Sequence, residues 1–169
     1  MSDPTNDRKI EHIRAIERDP ATDREQRYFD RFRLLHRALP EIALAEIDTQ
    51  TTFLNKELSF PLLLSSMTGG DHELVNTINR NLAIAAEATG VAMAVGSQRV
   101  MFTSPDARES FSLRQYAPST VLIANIGAVQ LNYGMGLEQA KEAVQCLGAD
   151  GLYLHLNPLQ EAVQPEGDT

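Results

Sequence analysis

The chain has 169 residues, with 15 Lys and Arg against 23 Asp and Glu, a formal net charge of −8 and a sequence pI near 4.9. At 43% hydrophobic residues it is too apolar for a disordered chain, and its acidity argues against nucleic acid, which needs a basic face. Nothing approaches the ~20 apolar residues of a membrane span, residues 1–12 hold no apolar signal core, and Cys146 has no internal partner, so a cytoplasmic protein without membrane partners is expected.

Charge is uneven along the chain: residues 1–40 carry nine bases and eight acids, residues 41–169 six bases and 15 acids. A base in the second part therefore needs a reason. Residues 8–18 place Ile10, Ile13 and Ile16 three apart among charges, which predicts an amphipathic helix. Residues 24–38 space Tyr28, Phe29, Phe32, Leu35 and Leu39 for a second helical face, ended by Pro40. The Thr-rich run Ile47–Phe53 fits short strands or a hairpin.

Four short apolar runs follow: Phe60–Leu64, Val91–Val95, Val121–Ile126 and Leu152–Leu156. Each is too short for a buried helix and too continuous for a half-exposed strand, so buried parallel strands are predicted. Between them, Asp71 is placed to cap a helix whose Leu74, Val75, Ile78, Leu82 and Ala85 form one stripe, with Gly90 behind it. Ser104-Pro105 reads as an N-cap with proline at the first helical position. Leu137, Ala140, Val144 and Leu147 give a third stripe, closed by Gly148. The polar residues near the ends of the four runs, Ser66, Ser97, Asn125 and His155, lie 31, 28 and 30 residues apart, the length of one strand–helix unit. Such a succession reads as a doubly wound sheet or a (β/α)8 barrel. A barrel takes about 250 residues, so this chain would be roughly half of one. Thirteen residues follow the fourth run, and no fourth helix is expected in them.

In both architectures the ligand lies at the carboxyl ends of the strands. Those ends read SSMTGG (65–70), GSQR (96–99), ANIGA (124–128) and HLNPLQE (155–161). Strand–helix loops are often Gly-, Ser- and Asn-rich for turn reasons alone, but four polar ends on one rim point to a site. His155 reads as either a core histidine or a group at the mouth of that site. Glu161 reads as a solvated loop acid or the single carboxylate of a hard cation shared with substrate phosphates. Gln160 is a poor base but can orient a hydroxyl, a phosphate or a metal-bound water. His12, His36, His72 and His155 show no zinc spacing. Arg8 and Lys9 are a solvated helix start or an anion site, while Arg99, the only base between Arg80 and Arg108, suits bidentate phosphate recognition. No P-loop or G-x-G-x-x-G occurs. Met67 could lie under a planar ring, and Cys146 reads as a small buried hydrophobe.

Taken together, RKIEHI (8–13), SSMTGG, GSQR, ANIGA and HLNPLQEAVQPEGD (155–168) resemble the type 2, FMN-dependent isopentenyl-diphosphate isomerases, in that family's order. The resemblance implies a (β/α)8 TIM-barrel fold, with residues 1–59 as an N-terminal helical extension and lead-in and 60–169 as the first half of the barrel. It implies interconversion of isopentenyl and dimethylallyl diphosphate with reduced FMN, Mg2+, and NAD(P)H as flavin reductant, in a homo-oligomer. By position, Arg8, Lys9, Ser97, Arg99, His155, Asn157 and Gln160 correspond to substrate-binding residues. Gln160 and His155 correspond to the catalytic pair, Ser66, Met67, Thr68, Ser97 and Asn125 to the flavin contacts, and Glu161 to the Mg2+ ligand. The family's remaining units, with a further lysine and the loops for the FMN phosphate, have no counterpart here. Two other readings are a different FMN-dependent barrel oxidoreductase and a remnant that binds no flavin.

Overall fold

The computed structural model describes residues 4–19, 21 and 28–163, with backbone alone for 4–9, 28, 29 and 160. Helix α1 (Pro4–Arg18) covers the predicted isoleucine stripe. Of the second expected helix, residues 24–27 lie outside the described residues, and over 28–38 only a 3-10 turn, Tyr28–Arg31, forms. Beyond it Phe32, Leu34, Leu35 and Leu39 are 73–96% exposed, and with no surface to bury that face the spacing alone does not hold a helix.

The hairpin forms a few residues later than expected, as β1 (Thr51–Phe53) antiparallel to β2 (Lys56–Leu58). Its turn residues Leu54 and Asn55 both have positive φ, 48° and 62°, the type I′ geometry that matches strand twist. Asn55 adopts this readily and Leu54 does not.

Strands β3 (Leu63–Leu64), β4 (Ala92–Ala94), β5 (Leu122–Gly127) and β6 (Gly151–His155) form one parallel sheet in that order. The four apolar runs are thus strands, but burial differs from expectation. β4 and β5 are wholly buried, whereas β6, at the sheet edge, leaves Tyr153 and Leu154 38% and 53% exposed. Central strands are covered on both faces and an edge strand is not.

Helix α2 (Glu73–Thr89) follows β3, capped by His72, whose Nδ1 accepts from Leu74 N at 3.1 Å. The predicted cap, Asp71, instead accepts a hydrogen bond from Ser104 Oγ at 3.0 Å. The buried row of α2 is Val75, Asn79, Ala83 and Ala86, shifted from the predicted stripe, and Leu74 is exposed. Ala83 and Ala86 of that row pack in the same core cluster as Phe111.

Between β4 and β5 the connection is two 3-10 helices, Gln98–Phe102 and Pro105–Phe111, rather than an α-helix. The second of them buries Ala107, Ser110 and Phe111, and Leu113 is buried just beyond its end. A further 3-10 turn, Ala128–Tyr133, leads to α3 (Leu137–Leu147), closed by Gly148 in the left-handed region. After β6 the chain does form a helix, the short α4 (Pro158–Val163), where none was predicted; Pro158 at its first position presets the backbone. No helix among the described residues is long and apolar enough to cross a membrane.

The end of the sheet opposite the polar loops is closed by charge. Asp150 accepts from Lys56 Nζ at 2.8 Å, Arg114 NH2 at 2.9 Å and Leu122 N at 2.9 Å. Arg114 also reaches the carbonyls of Ala117, Thr120 and Gly148, so one carboxylate ties the hairpin to β5 and to the turn before β6. Burial opposes charge on Asp150, but the bonds from Lys56, Leu122 and Arg114 outweigh it and hold its pKa below 3.8.

Candidate functional site

The four strand ends are bonded to one another. Asn125, at the end of β5, donates through Nδ2 to Ser66 Oγ at 2.9 Å, and its Oδ1 lies 2.6 Å from His155 Nδ1 at the end of β6. An amide oxygen only accepts, so His155 Nδ1 carries a proton and the chain Ser66–Asn125–His155 spans β3, β5 and β6. The loop after β3 joins the loop after β4 through Gly96 N, which donates to Thr68 O at 2.6 Å. Thr68 hydroxyl donates to Asn79, and Asn79 Nδ2 donates to Ser110 O at 3.0 Å. Ser97 Oγ accepts from Arg99 N at 3.4 Å, opening the 3-10 turn that carries Arg99.

Gly96 is required by close approach. A Cβ there would stand 2.7 Å from both the carbonyl carbon and oxygen of Thr68, which are backbone and cannot swing aside. Gly96→Ala is expected to part the two loops and cost about 1–3 kcal/mol, read as a fall in denaturant midpoint. Unchanged stability would mean that the loops separate freely.

On the β6 side lies an open cavity of about 560 Å3. Its wall is Ala128, Val129, Leu156, Pro158 and Ala162, with Asn132, His155, Asn157 and Glu161 as the polar groups. Apolar walls with a few convergent polar groups suit a small ligand with one charged end. Thus His155, Asn157 and Glu161 come together on the cavity. Ser66, Thr68, Ser97 and Asn125 lie on the adjoining rim, with Met67 beside them and 62% exposed. Arg99, half-buried, is not on the cavity wall. Arg8 and Lys9 on α1, and Gln160 on α4, lie outside the residues whose side chains are described. No group of three or more His, Cys, Asp or Glu is arranged around a metal among the described residues, so Glu161 could contribute one ligand, not a cage.

Three polar residues of the site were not singled out by sequence: Asn79, Gln98 and Asn132. Asn79 had a signal, since it interrupts an otherwise apolar i, i+4 row with Val75 and Ala83. Cys146 is half-buried rather than buried, and burial raises its pKa, with Arg108 opposing and Glu142 adding to the shift.

Residues 5–105 match the family described as FMN-dependent dehydrogenase. The chain belongs to that family. It is 64% identical over 161 residues to a protein of Paracoccus zeaxanthinifaciens named isopentenyl-diphosphate delta-isomerase, covering 95% of this chain and 46% of that one. It is 58% identical over 170 residues to a Hydrogenovibrio crunogenus protein of the same name, covering 100% and 50%. A Synechocystis protein so named is 49% identical over 167 residues, covering 98% and 48%. The chain therefore spans about half the length of the curated relatives it matches. The rim fits the family's cofactor in donor chemistry. Ser66 hydroxyl, Asn125 carboxamide and the N–H groups of a glycine-bearing loop are neutral partners for a flavin edge, beside an exposed, polarisable Met67.

Proposed function

We propose that this chain carries the flavin rim and part of the diphosphate site of a type 2 isopentenyl-diphosphate isomerase, with reduced FMN, Mg2+, and NAD(P)H as reductant. The observation that carries the reading is 58–64% identity to proteins named isopentenyl-diphosphate delta-isomerase, over a span that includes the whole HLNPLQE stretch. FMN, when bound and reduced, would supply acid/base chemistry at the substrate double bond. The residues divide the remaining work. Ser66, Met67, Thr68, Ser97 and Asn125 hold the ring edge. Arg8, Lys9, Ser97, Arg99, His155 and Asn157 neutralise and orient the diphosphate, and Glu161 brings Mg2+ to it. His155, with Nδ1 committed to Asn125, presents Nε2 to the ligand. Gln160 orients the reacting end. The apolar wall of Ala128, Val129 and Leu156 excludes water from the C5 unit. The assembly is proposed to be a cytoplasmic homo-oligomer of relatives' length, built on a (β/α)8 barrel with residues 60–169 as its first half.

The test is incubation with isopentenyl diphosphate, FMN, Mg2+ and NADPH, followed by NMR detection of dimethylallyl diphosphate. Product should form only with the flavin reduced, in a protein completed to the relatives' length. FMN bound without interconversion would overturn the isomerase. The family's description favours a second reading, an FMN-dependent oxidoreductase, and flavin reduction by a 2-hydroxy acid in the same samples would establish it.

A further inference from the structure

Val95 N donates to Ile123 O at 3.1 Å as the last rung between β4 and β5, after which β4 turns away at Gly96 and Ser97 to make the rim. The next β5 amide facing β4 is that of Asn125, two residues on, and the departing strand no longer offers it a carbonyl. A buried N–H without an acceptor is costly to leave unpaired. Gln98 supplies the missing partner: it is fully buried, and its Oε1 accepts from Asn125 N at 3.1 Å. Its Nε2 donates to Ala143 O at 2.9 Å, in the middle of α3, with Met101 Sδ at 3.7 Å. The carboxamide thus spans from the outer helix to the strand that carries Asn125, and every polar atom of it is engaged.

We propose that Gln98 is a positioning residue: by replacing the lost rung it fixes the backbone of Asn125, and through Asn125 the Ser66–Asn125–His155 bridge and the tautomer of His155. The residue touches neither the cavity nor the proposed ligands; it acts through Asn125. Its consequence for flavin rests on the functional reading above, whereas its consequence for His155 does not.

The experiment uses the 15N-labelled 169-residue chain and its Gln98→Met variant, similar in volume but without either hydrogen bond. Two-bond ring correlations report which imidazole nitrogen carries the proton. In the parent, neutral His155 should be protonated at Nδ1. His72, whose Nδ1 accepts from Leu74 N, is an internal control protonated at Nε2. In the variant the His155 pattern should move to the Nε2-protonated form while His72 stays, a change that a mere loss of stability in a folded protein would not produce. FMN titrated into both forms, completed to the length of the relatives, should show a dissociation constant about 10- to 100-fold weaker for the variant. An unchanged His155 pattern in folded Gln98→Met overturns the proposal. If the variant does not fold, the parent decides: an Asn125 amide that exchanges with solvent as fast as surface amides overturns it too. A His155 shift with no FMN binding by either completed form supports the positioning role and removes the flavin reading alone.

Discussion

Asp150→Ala is expected to destabilise the fold by about 2–4 kcal/mol, the largest stability effect of any single side chain at the closed end of the sheet. The carboxylate is 19% exposed and receives two cations and a backbone N–H; removing it leaves Lys56 and Arg114, 30% and 28% exposed, facing each other. Asp150→Asn keeps an acceptor for Leu122 N and should lose about half as much. The pH dependence has a definite sign. Because the folded pKa lies below the unfolded value of 3.8, the contribution is fully present above that value and is lost as pH falls through the folded pKa. Glu87 behaves alike: burial opposes its charge, but bonds from Ser119 and Thr120, with Arg114 nearby, lower its pKa. Denaturant melts of both Asp150 variants between pH 7 and pH 3 check this; a parent–variant gap that persists undiminished at pH 3 would exclude the charged network as its source.

Under the proposed function, Arg99→Ala is expected to lower kcat/KM for isopentenyl diphosphate about 30- to 1000-fold, corresponding to about 2–4 kcal/mol of charge-assisted hydrogen bonding. The measurement belongs in a protein completed to the length of its relatives. Arg99 sits on the Gln98–Phe102 turn and is half-buried, so stability should move little. Glu161→Gln keeps the side-chain volume on the cavity wall and removes the carboxylate. Its defect should shrink as Mg2+ is raised, and that of Arg99→Ala should not. A Glu161→Gln enzyme with the parent's Mg2+ dependence would return Glu161 to a solvated loop acid.

The strands were legible because a parallel strand covered on both faces must be apolar throughout, and Val91–Val95 and Val121–Ile126 have no other reading of that length. The polar residues near thirty-residue intervals, Ser66, Ser97, Asn125 and His155, marked the rim for the same reason: the apolar run ends where the strand leaves the core. Over 28–38 the stripe misled because helical spacing is only a capacity, realised when something covers the face. The 3-10 helices were missed because a Ser-Pro start opens a 3-10 helix and an α-helix alike, and only the tertiary packing of Ala107, Ser110 and Phe111 decides between them.

The amino-acid sequence by itself determined the sheet, the rim and the family resemblance, since each depends on residue types at spacings that the chain carries with it. What it could not reveal were pairings across the sheet. Gln98 with Asn125 and Ala143, Asn79 with Thr68 and Ser110, and Asp150 with Lys56 and Arg114 join residues 11 to 94 positions apart. A buried carboxamide or carboxylate is stable only when its partners are in place, and the identity of those partners depends on which backbone groups the folding of neighbouring elements leaves unsatisfied. That is a property of the tertiary structure, because β4 must turn away before Asn125 lacks a rung for Gln98 to replace.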